Sequence, residues 1–226
     1  MLLASPRQFR PGPPPALTSG RYTTDFAEVK ALGAKFGASR ITEQTETALF
    51  VSDTGIGPFQ VALRDLTARH AMDISDTARL FAAVDMSVTD AVIAVWDSKY
   101  HYGYWRPITA IRLADTDGNP DTDADPTWEP LFATPPYPDY VSGYTGVVGA
   151  MTGSISRILG GGQVDLYITS AAAGVTRHYV TASALNQDAI DGRMLLGIHF
   201  RTADVVGNNM GTQVADWGLD HYFQPT

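Results

Sequence analysis

The chain has 226 residues, 44% of them hydrophobic, and its 16 basic against 24 acidic side chains leave a formal charge of −8. That is one globular domain or two small ones at most, with enough residues to bury a sizeable core. The absence of cysteine excludes disulfides, zinc–thiolate clusters, iron–sulfur sites and thiol nucleophiles, and the acidic balance disfavours general nucleic-acid binding.

The first twenty residues hold five of the fourteen prolines, so residues 1–24 read as an extended surface arm and residues 25–226 as a helical domain. No basic-then-apolar leader opens the sequence. Helical periodicity predicts elements over 45–50 and 57–71. A central helix follows over 74–96, where Leu80, Val84, Val88, Ala91 and Val95 step by three and four. Its other faces are nearly as apolar, so cover is expected on more than one side. Asp85 and Asp90 interrupt its apolar run, so no membrane span is expected.

Residues 99–144 form a long stretch dense in Pro, Gly, Asp and aromatics, expected to be an ordered loop that builds a site. Within it, DTDGNPDTDADP suggests calcium, but a loop counted from Asp121 has Pro126 where glycine is required and Phe132 where glutamate is required. A solvated acidic turn is the expectation instead. Further helices are predicted over 145–159, 183–196 and 204–222. No period-two strand stands out, so the fold class is all-α.

Three segments carry chemistry: Lys99 and Arg106 in KYHYGYWRP, Ser142-Gly143 at a helix mouth, and Arg193 and His199 in GRMLLGIHF. Singly, each has an ordinary explanation: a helix-end lysine, a loop arginine, an N-cap serine, a core histidine. A helix ending near Gly197 leaves Arg193 in its last turn and folds His199 back over the end. Ser142 and Gly143 open a helix whose free amides and positive dipole end favour an anion. Two arginines, a lysine, a hydroxyl and helix-end amides converging on one point suit a tetrahedral oxyanion such as phosphate or vanadate.

The ordered strings KYHYGYWRPITAIR, TPPYPDYVSGYTGVVGA and GRMLLGIHFRTAD resemble the vanadium-dependent haloperoxidases, in a bacterial branch, within the phosphatidic acid phosphatase type 2 superfamily. The resemblance implies a helical bundle in which Lys99, Arg106, Ser142, the Gly143 amide and Arg193 hold vanadate, or phosphate in the same pocket. It implies that His199 is the axial catalytic group, coordinating vanadium. It also implies hydrogen peroxide, halide and an organic acceptor as small-molecule partners, with no nucleic acid and no membrane. The family motif S-G-H reads Ser142-Gly143-Tyr144 here, so Tyr144 stands where relatives carry the acid–base histidine. His101 is the one nearby histidine that could replace it. Ala203 stands where many relatives carry an acid, and Asp204, one place later, is expected to orient His199.

Full-length relatives carry a further N-terminal helical region, which this chain is expected to lack, so a homo-oligomer or a second chain is expected to cover its apolar helices. The leading function is a haloperoxidase homologue weakened at its proton-handling position. Acid-phosphatase-like phosphoryl transfer and a non-catalytic or repurposed oxyanion-binding role are the alternatives.

Overall fold

A computed structural model describes residues 1–52 and 56–224. Its helices are α1 (Gly20–Leu32), α2 (Thr42–Ser52), α3 (Gly57–Arg69), α4 (Ile74–Tyr102), α5 (Pro107–Arg112), α6 (Gly143–Leu159), α7 (Ala182–Leu195) and α8 (Arg201–His221). One antiparallel hairpin, β1 (Gln163–Ser170) with β2 (Val175–Thr181), joins α6 to α7. The architecture is a helical bundle in which α4, α6 and α8 pack on one another and α2 on α7.

Asp73 caps α4, its carboxylate accepting from the Asp76 amide at 2.8 Å. The helix runs six residues beyond Trp96, until Gly103 takes the left-handed conformation that ends it. Lys99 therefore rides on its last turn. Leu80, Val84, Ala91 and Val95 are buried as the periodicity predicted, and α6, α8 and the short 3-10 turn at Pro6–Phe9 supply the cover within the one chain. No helix among the described residues is long and apolar enough to cross a membrane.

The structure amends three expectations. The hairpin was not foreseen, although Val164, Leu166 and Ile168 alternate with more exposed neighbours in β1. Its partner β2 buries Tyr179 alone, so half of the alternating signal is missing. The acidic turn is solvated only in part: Asp115, Asp121 and Asp123 are exposed, whereas Asp117, Asn119 and Thr122 are buried. Asp117 accepts from the Asn119 amide at 2.7 Å and from the Thr122 hydroxyl at 2.8 Å, while the Asn119 side-chain amide donates to Leu17 O at 2.8 Å and Thr23 Oγ1 at 2.9 Å. The loop is thus fastened to α1 and the segment before it.

The N-terminal segment is held to the bundle. Tyr102, Tyr140 and Tyr104 donate their hydroxyls to Pro11 O, Gly12 O and Pro15 O at 2.6, 2.8 and 2.9 Å, and Arg10 pairs with Asp97 at 2.6 Å. Buried Asp90 accepts from the Leu2 and Leu3 amides. Helix α1 begins at Gly20, within the stretch expected to be extended.

Helices α6 and α8 meet backbone to backbone along Gly146, Gly149, Gly207 and Gly211. A Cβ on Gly207 would lie 2.5 Å from Ser142 O, and one on Gly211 would collide with the Gly146 carbonyl oxygen. Gly211→Ala should therefore lower stability by about 1–3 kcal/mol or more, as overpacking of a tight core does. Denaturant titration checks this against Gly12→Ala, where nothing lies within 4 Å and the midpoint should hold; equal midpoints would contradict the close approach.

Candidate active site

Lys99 is buried, and its ammonium donates to Pro138 O at 2.7 Å and Asp139 O at 2.9 Å. Arg106 occupies the residue before Pro107, which fixes the start of α5, and its side chain folds inward. Its Nε donates to Tyr137 O at 2.8 Å and its Nη1 to Ile198 O at 2.6 Å. Both cations lie over the Tyr137 ring, at 5.2 and 4.8 Å from its centroid. The Tyr137–Asp139 segment is thus the common strut for Lys99 and Arg106.

Helix α7 ends at Leu195, and Gly197 at φ 77° turns the chain so that His199 lies buried against Arg106. Arg106 Nη1 is 3.1 Å from His199 Nε2, and His199 Nδ1 is 2.7 Å from Asp139 Oδ1. Burial, reinforced by Arg106, Lys99 and Arg193, holds the imidazole well below its ordinary pKa. It is therefore neutral at neutral pH.

Arg193 is buried in the last turn of α7, its guanidinium carbon 5.1 Å from the Tyr144 ring centroid. Its Nε and Nη1 are buried without a hydrogen-bond partner, as is Arg106 Nη2. Such donors are costly when left unmet. Ser142 is the N-cap residue of α6 but its hydroxyl caps no amide; it faces the carboxyl of Asp204 instead. Burial raises Asp204 well above the carboxylate range, and burial also raises Asp139 against the pull of Arg106 and Lys99. Lys99 is lowered by burial and by Arg106. An anion in their midst would stabilise the charged form of each cation.

A cavity of about 290 Å³ opens here. Lys99, Gly143, Tyr144 and Arg193 form its polar end, and Phe59, Val92, Trp96, Phe132 and Val147 are among the residues of its apolar wall. Arg106, Ser142 and His199 lie behind this lining. The expected site residues are thus gathered in one region by α4, the 104–142 segment, α6 and the end of α7.

Asp204 does not contact His199 as expected; it faces Ser142 and Arg193, and Asp139 lies at the imidazole instead. His101 is exposed and packs edge-on against Tyr102 at 4.7 Å, away from the cavity lining. Asp139 is the residue that sequence reasoning missed. The available signal was an acid placed among the prolines and aromatics immediately before Ser142-Gly143.

The family model described as the VCPO second helical-bundle domain matches residues 79–225. Vanadium chloroperoxidase of Curvularia inaequalis is 28% identical over 181 residues, covering 59% of this chain and 29% of that protein. A solved bacterial vanadium-dependent iodoperoxidase superposes with a TM-score of 0.78 at 24% identity, over 96% of this chain and 54% of that one. A holo-type bacterial vanadium-dependent chloroperoxidase gives 0.72 at 20% identity, over 99% and 52%. The chain therefore spans about half the length of these solved relatives and under a third of the fungal enzyme. The structural likenesses speak to the fold.

Proposed function

Because the chain belongs to the family of the VCPO second helical-bundle domain, we propose that its buried cationic pocket binds vanadate and supports peroxide-driven halide oxidation. The observation that carries this reading is the set of unmet buried donors, Nε and Nη1 of Arg193 and Nη2 of Arg106. Three guanidinium nitrogens without partners beside a cavity suit an oxyanion in charge and donor type.

In this reading Arg193, Arg106, Lys99, the Ser142 hydroxyl and the Gly143 amide would hold the oxyanion, and His199 would ligate its metal. When bound, vanadate supplies a Lewis-acid centre that activates peroxide without a change in metal oxidation state. The guanidinium groups spread negative charge over donors fixed in advance, so little reorganisation accompanies reaction. Neutral His199 keeps a lone pair for coordination, since burial and three cations oppose its protonation. The apolar wall limits water around the charged groups and offers contact to an organic acceptor.

A phenol, with a reference pKa of about 10, exchanges its proton less readily than an imidazole, and residue 144 is a tyrosine. Its ring also covers the Arg193 guanidinium. These two features favour a second reading, in which the fold serves a repurposed oxyanion-binding role around the phenol. Phosphate is expected to compete for the same pocket.

Calorimetry with orthovanadate should give one anion per chain, displaced by phosphate. Absence of saturable binding of either anion would remove the proposal.

A further inference from the structure

We infer that the proline-rich arm is a positioning element for the candidate site, acting through Arg10, Tyr102, Tyr104 and Tyr140. The inference comes from where the contacts of these residues fall along the chain. Asp97, which takes Arg10 through both carboxylate oxygens at 2.6 and 2.8 Å, stands two residues before Lys99, and Tyr102 stands three after it. Tyr104 stands two residues before Arg106, and Tyr140 two before Ser142. The three phenols donate to Pro11 O, Gly12 O and Pro15 O. One short segment therefore ties together the end of α4, the turn before α5 and the entry to α6, the three stretches that carry Lys99, Arg106 and Ser142-Gly143. Arg193 is held separately, on α7.

The arm is suited to act as a rail. Proline fixes φ at 11, 13, 14 and 15, and residues 10, 12, 13 and 14 each precede a proline, which holds them extended. Such a segment is stiff before it docks, so little chain entropy is lost on docking. Proline has no N–H, so its carbonyl is the one main-chain group left to pair, and the phenols supply the donors. Burial raises Tyr104 and Tyr140 above the ordinary phenol range, so both keep the proton they donate. The rings form a row, Tyr140 packing edge-on against Tyr102 at 5.5 Å and Tyr104 at 6.5 Å. Both ends of the rail are fastened. Before it, Asp90 accepts from the Leu2 and Leu3 amides and Phe9 meets Trp217 edge-on at 6.5 Å; after it, Leu17 O accepts from Asn119 and Ser19 caps α1.

The effect on anion binding rests on the oxyanion reading above; the effect on the main chain does not. The triple variant Arg10→Ala/Pro13→Gly/Pro14→Gly loosens the arm and leaves the side chains of the bundle as they are. The Gly103, Asp139 and Ser142 amides donate to Lys99 O, Tyr104 O and Ala203 O, each at 2.9 Å. Their hydrogen exchange, read by NMR, should speed up by about 10-fold in the triple variant, while exchange along α7 holds. Orthovanadate affinity by calorimetry should fall by about 10-fold, because Lys99 and Arg106 must then be ordered at the moment of binding. Tyr140→Phe, which removes one hydroxyl and keeps the ring, should show a smaller part of both effects. Arg157→Ala is the control: it breaks ion pairs to Asp216 and Asp220 between α6 and α8 and should leave the three amides and the anion affinity as they were.

Unchanged exchange at the three amides in both the triple variant and Tyr140→Phe overturns the inference, as does faster exchange with unchanged orthovanadate affinity. A rise spread equally over α7, or an equal loss of affinity in Arg157→Ala, marks general destabilisation and overturns it too. If the wild type binds neither orthovanadate nor phosphate while the three amides respond, the oxyanion reading fails and the hold of the arm on these stretches stands.

Discussion

Arg193→Ala should lower orthovanadate affinity by about 10²- to 10⁴-fold, since hydrogen bonds to charged groups contribute roughly 1.5–3 kcal/mol each and two unmet donors are removed. The guanidinium is fixed before any anion arrives: it is buried at the end of α7 and its face lies against Tyr144. No ordering of a flexible side chain then offsets the gain on binding. The truncation leaves Asp204 without a cation, but burial already favours its neutral form, so the fold should survive. Arg193→Lys should recover part of the affinity, keeping the charge and losing the planar fork. Calorimetry showing equal affinity in wild type and Arg193→Ala would remove Arg193 from the binding site and with it the main support for the proposed function.

Tyr144→His should raise vanadate-dependent bromide oxidation by about 10²- to 10⁴-fold, the range general acid–base groups contribute. Residue 144 lines the cavity beside Gly143 and Arg193, so an imidazole there would face the same space as the phenol does now. The gain should appear near neutral or mildly acidic pH, where a histidine exchanges protons. Anion affinity should change little, because the donors are untouched. Tyr144→Phe is the informative companion. In a weakened peroxidase, removing the hydroxyl has a small effect; if the phenol carries a function of its own, removing it abolishes the native activity, and the histidine variant gains nothing. Halide oxidation assays on the two variants therefore separate a peroxidase weakened at one position from a fold put to another use.

What the sequence disclosed and what it withheld divide along physical lines. The helices were legible where an apolar stripe repeats over several turns, as at Leu80, Val84, Ala91 and Val95, because a helix buried on one side must repeat with the helical period. Gly197 disclosed the reversal that brings His199 back, since a left-handed residue ends a helix wherever it falls. The hairpin was hidden because β2 contributes a single buried side chain, Tyr179, and no alternation can be read from one position. The pairing of Asp139 with His199 joins residues sixty apart in sequence, and no local pattern reports which distant group will meet a given side chain. Asp117 misled for a related reason: an acidic, proline-rich string has the composition of an exposed turn, whereas Leu17, Tyr22 and Thr23 fold over it.

The glycine seam between α6 and α8 bears on how such a pocket changes over generations. Ser142 is held by its main chain, its amide donating to Ala203 O at 2.9 Å and its carbonyl pressed against Gly207. The mouth of α6 is therefore located in large part by one backbone resting on another. A frame of that kind does not shift when a neighbouring side chain is exchanged, so position 144 can take other side chains while the donors around it keep their places. The seam itself has no such freedom, since any Cβ at Gly207 or Gly211 meets main-chain oxygen. Saturation mutagenesis scored by folding alone should find a permissive rim at 144 and 147 enclosed by an intolerant line at 207 and 211, so that new chemistry in this scaffold arises at its opening while its seam stays fixed.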